Sequence, residues 1–157
     1  MEKLDDNYWD EIARENMEFY VGGVGQMLPV ASGLVQEFLT DIDPAVDMKA
    51  FLEGTRTAFM RNRSGGCGFV TFKTLEDHVY YICGLGVSKY YRGSGYSRLL
   101  LGAFLQFVRQ DDPHAIVRLG IDRRNHKARY LYCKFGFEGV HCGIEYGRAY
   151  EILELRL

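Results

Sequence analysis

The sequence predicts an α/β fold built on one mixed sheet, and two observations lead to this prediction. Residues 55–87 contain three short runs rich in aromatic and β-branched side chains, separated by turn residues, which is typical of an antiparallel meander. Residues 95–121 change to helical spacing and then to a short apolar run. The last strand of the meander, this helix and the next strand must therefore form a right-handed parallel crossover.

The first fifty residues are predicted to be mainly helical. Tyr8, Ile12 and Met17 lie near one face of an amphipathic helix, and Asp43-Pro44 separates two later segments of helical spacing. For the stretch after the first helix, the residues leave a short strand and a loop equally open. The elements predicted here are a helix over 7–20, a strand or loop over 21–30, and helices over 32–42 and 45–54.

The remaining residues are predicted to form strands with two intervening helices. The first of these helices carries an apolar stripe that includes Leu100 and Phe104, and "DDP" at 111–113 ends it. Gly136 is the stop signal of the second helix. The predicted elements are strands over 55–60, 67–74 and 78–87, a helix that starts at 95, a strand over 115–121, a helix over 125–136, and strands over 137–147 and 149–157.

The composition indicates a single ordinary domain with an asymmetric charge distribution. The 157 residues are 47% hydrophobic and 25% charged, which is enough for one core. Residues 1–53 carry 12 acidic and 3 basic side chains, whereas residues 54–157 carry 9 acidic and 16 basic ones. Two interpretations stay open: two solvated faces of one domain, or a basic half that holds an anion and an acidic half that attracts a cation.

The cysteines and the apolar segments indicate a cytoplasmic protein without a metal site. The four cysteines contain no CxxC pair, so we expect reduced thiols and no zinc site. The acidic N-terminus does not resemble a signal peptide. The most apolar early stretch, at 21–35, is too short and too interrupted to span a membrane.

The segment "YYRGSGYSRLL" at 90–100 is the first candidate binding site. Gly93 and Gly95 would let a ligand approach the unpaired N–H groups at the start of the helix, and Arg92 adds donors, so the segment predicts an anion site, such as one for phosphate. Alternatively, the glycines only permit a tight turn. A P-loop is excluded because no Gly-Lys-Ser or Gly-Lys-Thr occurs, and a dinucleotide fingerprint is excluded because Arg98 replaces the third glycine.

Two segments resemble the signature motifs of the GNAT superfamily of N-acetyltransferases. In "GLGVSKYYRGSGYSRLLLGAF", a strand that ends at Val87 precedes a Gln/Arg-x-x-Gly-x-Gly/Ala turn at 92–97, although Ser97 replaces the last small residue. "NHKARYLYCKFGF" at 125–137 is similar to the family's NxxAxxLYxxxGF segment. The order of elements from about residue 55 to 157 also agrees with that family.

The resemblance implies a fold and a cofactor. The fold would be a mostly antiparallel sheet of about six to seven strands, with helices on both faces and a central parallel crossover. Residues 1–157 would form one domain, with 1–54 as a helical substrate side and 55–157 as the CoA-binding core. The donor would be acetyl-CoA or another acyl-CoA, with no metal. The implied cofactor-binding residues are Leu85, Gly86, Val87, Arg92, Gly93, Ser94, Gly95, Tyr96, Ser97, Asn125 and Tyr132.

The resemblance also implies catalytic roles. Tyr132 would protonate the departing thiolate; alternatively, it is only a core tyrosine. Asn125 would contact the cofactor; alternatively, it is only the N-cap of its helix. A general base is not evident, because the family's positions hold residues that are poor bases at neutral pH or no side chain at all. These positions are Val79, Tyr81, Cys83 and Gly120. The candidates that remain, acting through water, are Asp122, His78, His141 and Glu145, and solvent itself stays possible.

The sequence therefore predicts an N-acetyltransferase that acts on a primary amine by direct attack in a ternary complex. The acidic residues expected near the acceptor favour a cationic amine and argue against nucleic acid; they are Asp41, Asp43, Asp47 and Glu145. The alternatives are a CoA-binding protein of this fold without catalysis, with a regulatory or structural role, and a phosphate-binding module unrelated to CoA. A monomer and a homodimer formed through the last strand both stay open.

Overall fold

The structure of the protein is a computed structural model that describes residues 2, 4, 7–23 and 53–157. The helix predicted over 32–42 and nearly all of the helix predicted over 45–54 lie outside the described residues. Asp41, Asp43 and Asp47, which were expected on the acceptor side, lie outside them as well.

The described residues form one seven-stranded sheet and three α-helices. Its elements are α1 (Asn7–Arg14), β1 (Glu18–Gly23), β2 (Arg56–Asn62), β3 (Gly65–Glu76), β4 (Val79–Val87), a 3₁₀ turn (Lys89–Tyr91), α2 (Tyr96–Asp111), β5 (Ile116–Asp122), α3 (His126–Lys134), β6 (Glu138–Glu145) and β7 (Arg148–Arg156). The strand order is β1-β2-β3-β4-β5-β7-β6, with β4 and β5 parallel and the other neighbours antiparallel. The predicted mixed fold with a central parallel crossover is confirmed.

The predicted helix over 7–20 is wrong in its second half. Helix α1 ends at Arg14, and Asn16 adopts a left-handed conformation with φ 58°, which stops the helix. The aromatic and β-branched residues that follow then pair antiparallel with β2 as strand β1. Of the two open possibilities for the next stretch, the strand is therefore realised over 18–23.

The last strand does not lie at an edge of the sheet. Strand β7 pairs with β5 on one side and with β6 on the other. Covering its apolar side chains, of which Leu153 is fully buried, therefore does not require a second subunit.

The described helices contribute to one hydrophobic core on one face of the sheet. The stripe predicted on α2 is buried there, and its Phe104 packs edge-on against Phe72 of β3 with ring centroids 4.9 Å apart. Helix α1 packs on α2, where the indole N–H of Trp9 donates to the carbonyl of Ala103 at 3.0 Å. Burial of these apolar faces supplies most of the stabilisation of short helices such as α1.

The close approach of α1 and α2 depends on Gly102. A Cβ atom at this position would lie 2.3 Å from a ring carbon of Tyr8, which is far inside van der Waals contact. In an open helix, alanine in place of glycine would stabilise the fold by up to about 1 kcal/mol. Here we expect Gly102→Ala to lower the free energy of unfolding by about 2 kcal/mol, because the overpacked tyrosine must move.

Urea denaturation followed by circular dichroism measures this effect. Gly23→Ala is the control, because no atom of a described residue lies within 4 Å of the added carbon there. Equal stability of both variants would contradict the role of Gly102.

Candidate active site

Strands β4 and β5 part halfway along their length. They pair in parallel only over 79–82 and 116–119. Beyond this point β4 continues to Val87 and, of the strands that the structure describes, pairs only with β3, while β5 continues to Asp122 along β7. Among the described strands, the backbone edge of 83–87 that faces β5 therefore has no partner, so its N–H and C=O groups could pair with a ligand.

A β-bulge lies at the point of parting. Ile82 pairs with Phe72 and Gly84 pairs with Thr71, so Cys83 is the extra residue. Beyond the bulge, Leu85 and Val87 pack toward the core that contains α2. The alternation of side chains along a strand then places Gly84 and Gly86 on the opposite face, where they present backbone and no side chain.

The glycine turn holds the start of α2 close to the end of β4. Gly93 and Gly95 have φ of 80° and 83°, and Gly95 is the N-cap of α2 without any side-chain cap. These left-handed conformations explain both glycines. The guanidinium Nε of Arg92 donates to the carbonyl of Val87 at 3.0 Å, and this bond fixes the turn against the strand.

An aromatic contact supports the same turn. The rings of Tyr91 and Tyr96 meet edge to face with centroids 5.4 Å apart, and the side-chain amide of Asn62 donates to the Tyr91 hydroxyl. The first-turn N–H groups of α2, including that of Ser97, therefore follow a frame of contacts made by Tyr91, Arg92 and Tyr96. Such a frame with the positive end of a 16-residue helix suits an anion.

Sequence reasoning missed the role of Arg98. Its guanidinium bonds Glu11 at 2.7 Å and Glu2 at 3.4 Å, so it joins α2 to the N-terminal residues and is directed away from the turn. The hydroxyl of Tyr8 also donates to Glu2, and this hydrogen bond is the main reason why the pKa of Glu2 is lowered. The excess of acids in the first residues was the only sequence signal for this contact.

Tyr132 lies in α3 and is 6% exposed. Its ring packs edge-on against Phe137 with centroids 5.3 Å apart, and its hydroxyl makes no hydrogen bond to the part of the chain that the structure describes. Burial raises the pKa of the Tyr132 phenol, so the phenol is protonated at neutral pH and can donate a hydrogen bond.

Asn125 caps α3, as its alternative interpretation expected. The side-chain oxygen accepts a hydrogen bond from the backbone N–H of Ala128 at 3.2 Å. This bond satisfies one of the free N–H groups at the start of the helix.

A cleft of about 730 Å³ lies beside the parted strands, on the sheet face opposite α2. Its walls include Tyr81 of β4, Gly120 of β5 and Glu145 of β6. A Cβ atom at Gly120 would lie 3.4 Å from the Tyr81 hydroxyl, which is ordinary van der Waals contact. Burial, with Cys83 and Glu145 nearby, raises the pKa of Tyr81, so this phenol is not a base at neutral pH.

The structure separates the candidate bases. His78 lies at the opposite end of β4, where its Nδ1 contacts Asp112 at 2.5 Å. Asp122 lines the cleft but is held by Arg124, whose side chain and backbone N–H lower the pKa of Asp122 to about 2. His141 is exposed on β6 with its Nε2 3.4 Å from the Tyr150 hydroxyl. Among the candidates, Glu145 is the carboxylate that lines the cleft without an ion pair to a described residue.

A family sequence profile that spans both motifs decides which family the chain belongs to. The model of the acetyltransferase (GNAT) family matches residues 37–137. The chain belongs to the GNAT family. It is thus an acetyltransferase, and the expectation from its two motifs is confirmed.

Solved structures share the fold of this GNAT protein at low sequence identity. The ribosomal-protein-S18-alanine N-acetyltransferase of Escherichia coli is 16% identical, with a TM-score of 0.71 over 88% of this chain and 93% of that one. A GNAT acetyltransferase of Elizabethkingia anophelis with acetyl-CoA bound is 14% identical, with a TM-score of 0.69 over 91% and 99%. A Bacillus subtilis acetyltransferase in complex with CoA is 14% identical, with a TM-score of 0.67 over 90% and 99%.

No curated protein sequence matches the chain. Among the described residues, no three His, Cys, Asp or Glu side chains are grouped so as to hold a metal ion. None of the described helices is both long and apolar enough to cross a membrane.

The contact between Asp122 and Arg124 makes the stability depend on pH. Because the pKa of the Asp122 carboxyl is about 2 in the folded protein and 3.8 is its ordinary value, the contact stabilises the fold above pH 4 and is lost as the pH falls toward 2. We expect Asp122→Asn to have a lower melting temperature than the parent at pH 6, and the difference to become much smaller as the pH falls to about 2.

Thermal unfolding at a series of pH values tests this expectation. In an Arg124→Met background, Asp122→Asn should change the melting temperature much less at pH 6. A difference between parent and Asp122→Asn that is as large at pH 2 as at pH 6 would contradict the assignment.

Proposed function

We propose that the protein transfers an acetyl group from acetyl-CoA to a primary amine by direct attack within a ternary complex. The observation that carries this proposal is the unpaired edge of β4 at 83–87, which begins at a bulge and leads into a glycine turn at a helix N-terminus. An acyl-CoA needs both parts, a strand-like partner for its amide-containing arm and an anion site for its phosphates. The relatives solved with CoA and with acetyl-CoA support the same assignment.

The proposed cofactor contacts are made mainly by backbone groups of two neighbouring segments. The phosphates would lie on the backbone N–H groups of residues 93–97 beside Arg92, and the pantetheine arm would pair with the backbone of 85–87. The whole chain would act as one domain, with 55–157 binding CoA and 1–54 on the substrate side. Helix α1 and strand β1 of that first part join the same core and sheet as the rest.

The proposed reaction passes through a tetrahedral intermediate. The nitrogen lone pair of the neutral amine attacks the thioester carbon, and the carbonyl electron pair moves to oxygen, where a backbone N–H near Leu85 would stabilise the negative charge. When the intermediate collapses, the C–S bond breaks and its electron pair leaves with sulfur. The thiolate takes the phenolic proton of Tyr132, and the proton that the amine nitrogen loses restores the phenol. The products are an amide and the CoA thiol.

The acceptor is proposed to be a cationic amine that loses its proton before attack. Glu145 is the residue of the described cleft that supports this proposal, because its carboxylate lines the wall without an ion pair to another described residue. It could attract the ammonium form and pass its proton to water. Asp41, Asp43 and Asp47 were expected to add to this negative charge.

Binding of acetyl-CoA is tested by a Ser-to-Asp substitution in the first turn of α2. An acidic residue there interacts favourably with the helix dipole of the free protein, but it would repel a phosphate on the same N–H groups. We expect Ser97→Asp to keep its melting temperature and to lose most of the stabilisation by acetyl-CoA. For the parent at a hundredfold excess over the dissociation constant, that stabilisation is about 2.7 kcal/mol.

Thermal shift with and without acetyl-CoA measures both effects. Ser64→Asp, in the turn between β2 and β3, is the matched control and should respond to acetyl-CoA like the parent. Full stabilisation of Ser97→Asp would place the phosphates elsewhere.

The proton donor is tested by Tyr132→Phe. We expect kcat to fall by about 10²-fold to 10⁴-fold, which is the usual contribution of a positioned acid, with unchanged stabilisation by acetyl-CoA. Thiol release from acetyl-CoA across a panel of primary amines measures the rate.

The neighbouring tyrosine provides the control. Tyr130 lies on the same helix but is 69% exposed, so Tyr130→Phe should retain the parent rate. If Tyr132→Phe also retains it, Tyr132 is a core residue and the thiolate is protonated by another group.

A further inference from the structure

Thr71 has a buried hydroxyl without a partner. The residue is fully buried in β3, and its Oγ1 makes no hydrogen bond within the described part of the chain. Such a hydroxyl costs free energy in the folded protein, because it has given up water and gained nothing in exchange. A buried hydroxyl without a partner requires an explanation, and one explanation is a ligand that forms the missing hydrogen bond.

Its position in the sheet points to the candidate active site. Thr71 pairs directly with Gly84, the first residue after the bulge at Cys83. Phe72 points into the core beside α2, so Thr71, its neighbour along the strand, points to the opposite face. That face also carries Tyr81 and the cleft.

Gly84 lies between the Thr71 hydroxyl and the edge of β4 that faces β5. Directly opposed residues of an antiparallel pair lie about 5 Å apart, and glycine places no side chain between Thr71 and the edge beyond it. A ligand atom that rests on the backbone of Gly84 would therefore lie within hydrogen-bonding reach of the Thr71 oxygen.

The chemistry of the acceptor matches this hydroxyl. A neutral primary amine has one lone pair, which must point at the thioester carbon, and two N–H groups, which need acceptors. A threonine oxygen offers two acceptor lone pairs and does not titrate at neutral pH. The donor's arm, in contrast, is proposed to lie along the other edge of β4, which faces β5.

We propose that the Thr71 hydroxyl accepts a hydrogen bond from the attacking amine and orients its lone pair. This inference rests on the proposed function and adds a substrate-contacting residue on β3. It also explains why the unsatisfied hydroxyl is present, since an unfavourable group in the free protein becomes satisfied when the acceptor binds.

Thr71→Val tests the proposal because it removes the hydroxyl and keeps the shape. Without an unsatisfied oxygen, the free protein should become more stable, and its melting temperature should rise by roughly 2–4 °C. At the same time, kcat/KM for the amine should fall on the order of tenfold, while KM for acetyl-CoA stays unchanged. Thr71→Ser, which keeps a hydroxyl, should restore most of the lost kcat/KM.

The control is Thr57→Val. Thr57 is buried on β2, pairs directly with Thr71 and lies farther from β4, so its loss should leave kcat/KM for the amine as in the parent. Unchanged amine kinetics in Thr71→Val would overturn the proposal and make the hydroxyl purely structural. A loss that appears only in KM for acetyl-CoA would overturn it as well, because the hydroxyl would then serve the donor.

Failure of the proposed function would look different. In that case the parent itself would gain no stability from acetyl-CoA and release no thiol with any amine. The kinetics of Thr71→Val are compared only with a parent that passes both tests.

Discussion

The site depends on one event in the sheet, the parting of β4 from β5 after four paired residues. Parallel strands are normally paired and covered along their whole length, so an unpaired inner edge needs a cause. The bulge at Cys83 supplies part of it, because a bulge bends its strand and increases the local twist. The antiparallel pairing of β5 with β7 over 116–122 supplies the rest, since it directs the end of β5 away from β4. An unpaired edge of this kind inside a sheet offers backbone groups to which an extended ligand could pair.

The crossover also places the N-terminus of α2 at the same point. Helix α2 must return the chain from the end of β4 to the start of β5, and its 16 residues span about 24 Å. Its N-terminus therefore lies at the end of β4 where the edge is open, and its C-terminus lies at the far end. The Arg92 contact to Val87 and the positive φ of Gly93 and Gly95 complete this connection. A strand-like partner and a helix N-terminus thus meet because of topology, which fixes their relative position more firmly than side-chain contacts would.

The sequence predicted the elements that have local signals, and it did not predict the features that depend on how the strands pair. Every strand and helix over 55–157 was predicted in order, because periodicity and turn residues are local. The first helix was extended too far because Met17 was grouped with Tyr8 and Ile12, although nine residues at about 3.6 per turn place Met17 opposite Tyr8 on a helix. In addition, nothing local shows that Asn16 turns left-handed. The turn at 92–97 and Tyr132 were found through motifs. The cleft could not be found in this way, because it requires β7 to lie between β5 and β6, and the unpaired hydroxyl of Thr71 becomes visible only with the register.

The contacts of α1 give the charge asymmetry a structural meaning. Glu2 and Glu11 of the acidic half bond Arg98 of the basic half, and the Tyr96 hydroxyl donates to Glu15 at 3.3 Å. Part of the separation of charge along the chain is therefore neutralised within the fold. Partly exposed ion pairs add little to stability, but these remove a cation from the start of α2. The N–H groups in the first turn of α2 are oriented by the backbone, so they would need no side-chain rearrangement to meet an anion.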